Sequence, residues 1–323
     1  MHRATRIRRF ALAVSAAAAI AIPVQAADAP PYWAYPVNPP GAKPAPDDGT
    51  PRTVPGSTVS MTLTQIRDLF VAPVWHPGDH AAMPDSVAFG RKPRLFACGY
   101  CHMPHGLGRP ENSSLAGLPA EYIVQQVADF KSGARRSSEP NSLPVNFMIL
   151  AAKAATTAEV REAAEYFASL PRLPWIKVIE ADEVPKTHVT GWMLAANEPR
   201  AMEPIGARII EIPEDLERTE LRDTRSPFIA YVPTGSIARG KELVATGAGR
   251  TAPCGTCHGE DLRGLGPIPG LAGRSPSYLV RQLYDMQHGM RNGPWMDLMR
   301  PVVKHLTLAD MIAIAAYAAS REP

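Results

Sequence analysis

From 120 to 131 the apolar side chains fall at Ile123, Val124, Val127 and Phe130, the stripe of an amphipathic helix. The same stripe returns over 277–286 at Leu279, Val280, Leu283 and Met286. Near the end of the chain Met311, Ile314, Ala315 and Ala318 share a third apolar face. Thr307, with Asp310 three positions on, reads as the capping box that opens it, Asp standing in place of Glu. Ser236 to Val244 predicts a further helix, while 88–93, with Gly90 and Pro93, predicts none. The stretch 62–71 is expected to supply the missing opening helix of the first half from upstream. Trp175–Glu180, Ala207–Ile212 and Phe228–Val232 are β-type runs set among prolines and a charged stretch, Glu214–Asp223. They predict an ordered connection with a little β-structure, its charges on a solvated face.

The halves of the chain repeat. With an offset of 156, Ser113-Ser114-Leu115-Ala116-Gly117 falls on Pro269-Gly270-Leu271-Ala272-Gly273. Tyr122, Gln126 and Arg135 fall on Tyr278, Gln282 and Arg291. The first half then holds five extra residues. Past them Met148 matches Met299, Lys153 matches Lys304, and Tyr166 matches Tyr317. Two tandem helical domains are therefore expected, at 86–171 and 233–323, joined by a linker over 172–232.

The N-terminus has a different character. Arg3, Arg6, Arg8 and Arg9 precede the apolar run Phe10–Val24, and Val24-Gln25-Ala26 resembles a small-residue cleavage site. Residues 1–26 thus read as a secretory signal peptide. Residues 27–85 form a proline-rich extension with one short helix. Nine prolines crowd 27–56, and Tyr32, Trp33 and Tyr35 among them suggest that this arm packs along a domain. Lys and Arg number 34 and Asp and Glu 31; without the leader's four arginines the balance is 30 against 31. That argues against a nucleic-acid surface. No other run is long and apolar enough to span a bilayer.

Chemistry enters with the four cysteines, all used by two motifs: Cys98-Gly99-Tyr100-Cys101-His102 and Cys254-Gly255-Thr256-Cys257-His258. Cys-x-x-Cys-His is the attachment signature of c-type haem: two thiols add across the vinyl groups, and the next His ligates the iron. Zinc would need the pairs to converge, although they lie more than 150 residues apart in sequence. A thioredoxin-type pair would follow a strand, and disulfides would leave both histidines unexplained. Two covalent haem c groups are expected.

On these motifs and the repeat, each half resembles the small helical class I cytochrome c domain, and the pair resembles periplasmic di-haem cytochromes c. The resemblance implies a mainly α fold with two tandem domains, an extended arm and an irregular linker with minor β. It implies proximal ligation by His102 and His258, and distal ligation by Met148 and Met299 from a loop before the last helix. Met296 rivals Met299. His105, His288 and His305 are alternative distal ligands that do not repeat, and His76, His80 and His188 have no motif context. The resemblance further implies that each proximal His gives its second ring N–H to a backbone carbonyl, of Pro269 in the second half and Ser113 in the first. Tyr122, Tyr278, Arg135 and Arg291 are placed to approach propionates or to pair at the surface. Trp295 lines the second haem or packs in the core.

Thioether ligation raises the haem potential, and two filled axial positions leave no room for substrate. The implied function is single-electron transfer in the periplasm, from a dehydrogenase or quinol-oxidising complex to a terminal oxidase or reductase. The chain is then an electron carrier with no catalytic residue, free or bound as a dehydrogenase subunit. The alternative is a di-haem redox enzyme of peroxidase or thiosulfate-oxidising type, with the first haem open or without Met.

Overall fold

The structure, a computed structural model, describes residues 29–199 and 201–323. The expected leader lies outside them. The chain is mainly helical, with two helical units and a strand-bearing segment between. The first unit contains α2 (Asp85–Ala88), α3 (Cys98–His102), α4 (Ala120–Ser132), α5 (Leu143–Ala154) and α6 (Thr157–Ser169), preceded by α1 (Leu63–Ile66). After the connection, which holds α7 (Leu216–Glu220), come α8 (Ser236–Thr246), α9 (Gly255–His258), α10 (Pro276–Gln287), α11 (Met296–Val303) and α12 (Leu308–Ala319).

Local chemistry sets the helix ends. Both final helices open on complete capping boxes, Thr156 with Glu159 and Thr307 with Asp310. α4 stops at Gly133, which takes the left-handed conformation at φ 81°. α10 begins with Pro276 in its first turn, and the Ser275 hydroxyl accepts from the Tyr278 N–H. α8 crosses α12 closely at Gly240, where a Cβ would collide with the Ala313 carbonyl oxygen.

The first repeat lacks that crossing. The helix expected over 62–71 is the single turn α1, and it packs elsewhere: Ile66 joins Val54, Trp75 and Leu221 in a small separate cluster. The turn α2 takes its place, sending the fully buried Val87 into the first core beside Ala164 and Phe167.

The connection is more structured than the composition suggests. β1 (Ile176–Ala181) pairs in parallel with β7 (Phe228–Pro233), which pairs antiparallel with β6 (Ile210–Pro213). β2 (Glu183–Pro185) pairs with β5 (Met202–Pro204), and β3 (Thr187–Thr190) with β4 (Met193–Ala196). Phe228 and Met193 belong to the first core, whereas Val232, Ile210 and Leu194 belong to the second. The strands therefore wedge between the helical units and serve both.

The proline-rich arm docks on the second unit. Trp33 and Tyr35 are buried in its core with Val280 and Met311. The Tyr35 hydroxyl donates to Asp285 at 2.8 Å, and Arg281 donates to the Ala34 carbonyl at 2.7 Å. Among the described residues no single helix is long and apolar enough to cross a membrane.

Candidate functional site

Each Cys-x-x-Cys-His motif folds into one short helix, α3 or α9, which brings its thiols and imidazole to one place. The two imidazoles are held alike. His102 Nδ1–H donates to the Ser113 carbonyl at 2.8 Å, and His258 Nδ1–H donates to the Pro269 carbonyl at 2.8 Å. That bond fixes the tautomer and leaves Nε2 bare as a ligand atom. Burial favours the neutral ring in both, lowering each histidine below its ordinary value. Burial also pushes the Cys98 thiol up to about 12 and Cys254 up to about 11.

In the first unit α3 faces a cleft with about 1420 Å³ of atom-free space, solvent at its mouth included. Cys98, Cys101, His102 and Met148 all line it, with Ile123 and Phe167 among its apolar walls. Two thiols, an imidazole nitrogen and a thioether around an apolar slot fit an iron porphyrin. In the second unit Cys254 and Met299 both pack against the second core, and His258 is buried. Both methionines stand on helices, α5 and α11, rather than on a loop. Met299 is half-buried, and its rival Met296, one turn earlier, is buried.

Two of the alternative distal histidines have partners of their own, and the third is exposed. His105 packs edge-on against Trp175, with ring centroids 4.8 Å apart. His288 stacks on Tyr284 and donates its Nδ1–H to the Tyr284 carbonyl at 2.9 Å. His305 is exposed.

The repeated Tyr, Gln and Arg residues meet between the two units. Arg135 pairs across a single antiparallel bridge with Arg291. Arg135 donates to Tyr278 Oη at 3.0 Å, Gln282 Oε1 at 2.8 Å and Gln126 Oε1 at 2.9 Å. Arg291 donates to Tyr122 Oη at 3.3 Å, Gln126 Oε1 at 2.7 Å and Gln282 Oε1 at 3.2 Å. Burial alone would raise the Tyr278 hydroxyl, but Arg135 and Arg291 bring it down to about 8. Tyr122, Gln126, Arg135, Tyr278 and Gln282 also line the first cleft. This network is thus both the joint between units and the polar end of the first site. Trp295 faces Tyr122 of the other unit at 6.0 Å.

Three charged residues near the first motif were not apparent from sequence patterns. Arg109 and Glu111 form a buried ion pair, Nε to Oε1 2.8 Å, and Glu111 lines the cleft. The repeat held a signal for them, since an offset of 156 puts Leu265 and Pro267 opposite. Arg222, from the connection, lies over the Tyr100 ring at 3.7 Å and donates to the Tyr100 carbonyl at 2.8 Å. Nothing in its sequence context marks it.

No family model matches the chain. It is similar to cytochrome c-554(548) of Halomonas halodenitrificans, 39% identical over 89 residues, or 27% of this chain and 99% of that protein. It is also similar to the thiosulfate dehydrogenase electron acceptor of Thiomonas intermedia, 26% identical over 248 residues, 76% of this chain and 84% of that one. Among solved structures, reduced cytochrome c4 from Pseudomonas stutzeri superposes with a TM-score of 0.46 at 20% identity, covering 70% of this chain and 93% of its own.

Proposed function

The chain belongs to the di-haem c-type cytochromes, which carry two covalent haem c groups and transfer electrons, and on that premise we propose a periplasmic carrier that passes single electrons from a donor dehydrogenase to a respiratory acceptor. Cys98 and Cys101 would hold the first haem, and Cys254 and Cys257 the second, with His102 and Met148, and His258 and Met299, as the side chains that would ligate the two irons. Bound in this way, each haem supplies a one-electron couple that a thioether keeps at raised potential.

The observation that carries this reading is the identical holding of both imidazoles, each Nδ1–H on a carbonyl at 2.8 Å. Both rings are locked by that bond with Nε2 left free to ligate, so little would have to move as the charge of an iron there changes. The buried Arg135 and Arg291 network at the joint of the units would offer haem propionates polar partners. A sulfur-compound dehydrogenase is the favoured donor, because 76% of the chain aligns with a protein named as a thiosulfate dehydrogenase electron acceptor.

The test is the near-red absorption of the oxidised holoprotein, where sulfur-to-iron charge transfer reports Met ligation. Two haems' worth of the band supports a carrier with both irons closed. One haem's worth means that one site has another ligand or an open position, and the enzyme reading then takes precedence.

A further inference from the structure

Each motif histidine is held by a carbonyl of the loop that follows it, Ser113 for His102 and Pro269 for His258. The loops rest on equivalent glycines. A Cβ at Gly108 would lie 2.7 Å from the Ser113 carbonyl oxygen. One at Gly264 would lie 2.7 Å from the Ile268 carbonyl oxygen and 2.9 Å from Gly270 N. To this point the two sites obey the repeat.

Beyond it, one side chain serves both loops. Arg274 Nε–H donates to the Gly270 carbonyl at 2.5 Å, one residue past Pro269. Its Nη1–H donates to the Ser114 carbonyl at 2.7 Å, one residue past Ser113 and in the other helical unit. The Ser113 hydroxyl donates to the same Ser114 carbonyl at 3.2 Å.

Arg274 is only 7% exposed, and no carboxylate pairs with it among the described residues. Burial and the neighbouring cation Arg172 bring it down to about 10, so it is still charged at neutral pH. Its bonds to the two carbonyls are therefore charge-assisted, about twice as strong as neutral ones. The guanidinium is planar and rigid, so the carbonyls it grips are kept at a fixed separation. An offset of 156 puts Leu118 opposite Arg274, buried and without a side-chain donor. The tie is thus made from the second unit alone. Arg172 braces it from the first: its Nη1–H donates to the Arg263 carbonyl at 2.7 Å. A Cβ at Gly117 would lie 2.8 Å from its Cγ, and one at Gly270 would lie 2.6 Å from its Nη1.

We propose that Arg274 is a positioning residue shared by the two sites, holding the Ser113 and Pro269 loops in one frame so that both proximal rings depend on a single side chain of the second unit. It touches no reacting atom. The inference rests on the reading of His102 and His258 as the proximal ligands.

The experiment is hydrogen exchange of the His102 and His258 ring Nδ1–H, followed by NMR in the reduced, isotope-labelled holoprotein. The native chain is compared with Arg274→Lys, which keeps the charge and loses the fork, and Arg274→Gln, which keeps an amide donor and loses the charge. Either variant should speed exchange at both rings by roughly tenfold, the factor that one hydrogen bond from a charged group is worth. Backbone amides of α6 and α12, in the two cores, should keep their native rates. Acceleration at one ring alone would make Arg274 a local prop and overturn the inference. Unchanged rates at both rings, or equal acceleration of the core amides, would overturn it too. One variant that yields holoprotein suffices for the comparison. The same spectra test the ligand reading separately, because the porphyrin ring current moves the ring protons of an iron-bound imidazole strongly upfield. If either histidine lacks that shift, its ligand assignment falls, while the exchange rates still decide whether Arg274 holds both loops.

Discussion

Arg135 and Arg291 lie opposite each other across an isolated antiparallel bridge, and each reaches the tyrosine and glutamine of the other helical unit. The joint is built by exchanging identical parts about a local twofold. Main-chain bonds continue the symmetry: Arg136 N–H donates to the Met290 carbonyl and Asn292 N–H to the Ala134 carbonyl, both at 2.7 Å.

Arg135→Lys should therefore weaken the joint although it keeps the charge. A lysine ammonium cannot span Gln126, Tyr278 and Gln282 as the guanidinium fork does, and buried acceptors are left without donors. The expected cost is about 1–3 kcal/mol. Arg135→Lys and Arg291→Lys together should cost less than their sum, because both share Gln126 and Gln282. Urea unfolding of the single and double variants measures this.

Gly240→Ala should loosen the second unit. A Cβ there would lie 2.7 Å from Tyr317 Cβ and collide with the Ala313 carbonyl, so α8 must move away from α12. About 1–3 kcal/mol should be lost. A melting temperature equal to that of the native chain would count against the close crossing.

Trp33→Ala tests the docking of the arm. The residue is 3% exposed in the second core, and its loss should cost about 3–5 kcal/mol. Tyr35→Phe should cost less, about 1 kcal/mol, because Asp285 keeps its bonds from Ser138. Limited proteolysis should cut the arm of Trp33→Ala faster than that of the native chain. Equal rates would mean that the arm does not depend on this side chain.

Acid should destabilise the chain through His105. Burial lowers this ring from an ordinary 6.5 to about 3. Between those values the unfolded chain binds the extra proton, so stability rises with pH across the window and is lost as pH falls from 6.5 toward 3. The slope from this one group approaches roughly 1.4 kcal/mol per pH unit. His105→Gln should flatten the stability curve between about pH 4 and 6. An unchanged slope would assign the acid sensitivity to other groups.

Much of the local structure was legible in the residues. The stripes at Ile123–Phe130 and Leu279–Met286 became α4 and α10 because a buried face needs nothing beyond its own spacing. The expected capping box at Thr307 and Asp310 formed because it lies within one turn, and Thr156 with Glu159 forms its counterpart in the first repeat. The resemblance placed Met148 and Met299 on a loop before the last helix, whereas the structure places them on α5 and α11. Pro144 sits in the first turn of α5, where its missing N–H is not needed, and Pro301 sits late in the short α11. The opening helix of the first repeat was misplaced at 62–71, because the stretch that packs on the first core is a single turn with no period to show.

The sequence by itself determined the cofactor and the doubling of the unit. Those are statements about bonds within five consecutive residues, and about a spacing that repeats. Only the tertiary structure decided that the arm lies on the second unit, that Arg135 and Arg291 trade partners, and that Arg222 and the Arg109–Glu111 pair sit beside the first motif alone. Each of these joins segments far apart in the chain. Their meeting depends on how whole elements pack, and a short-range pattern of residue types carries no record of that.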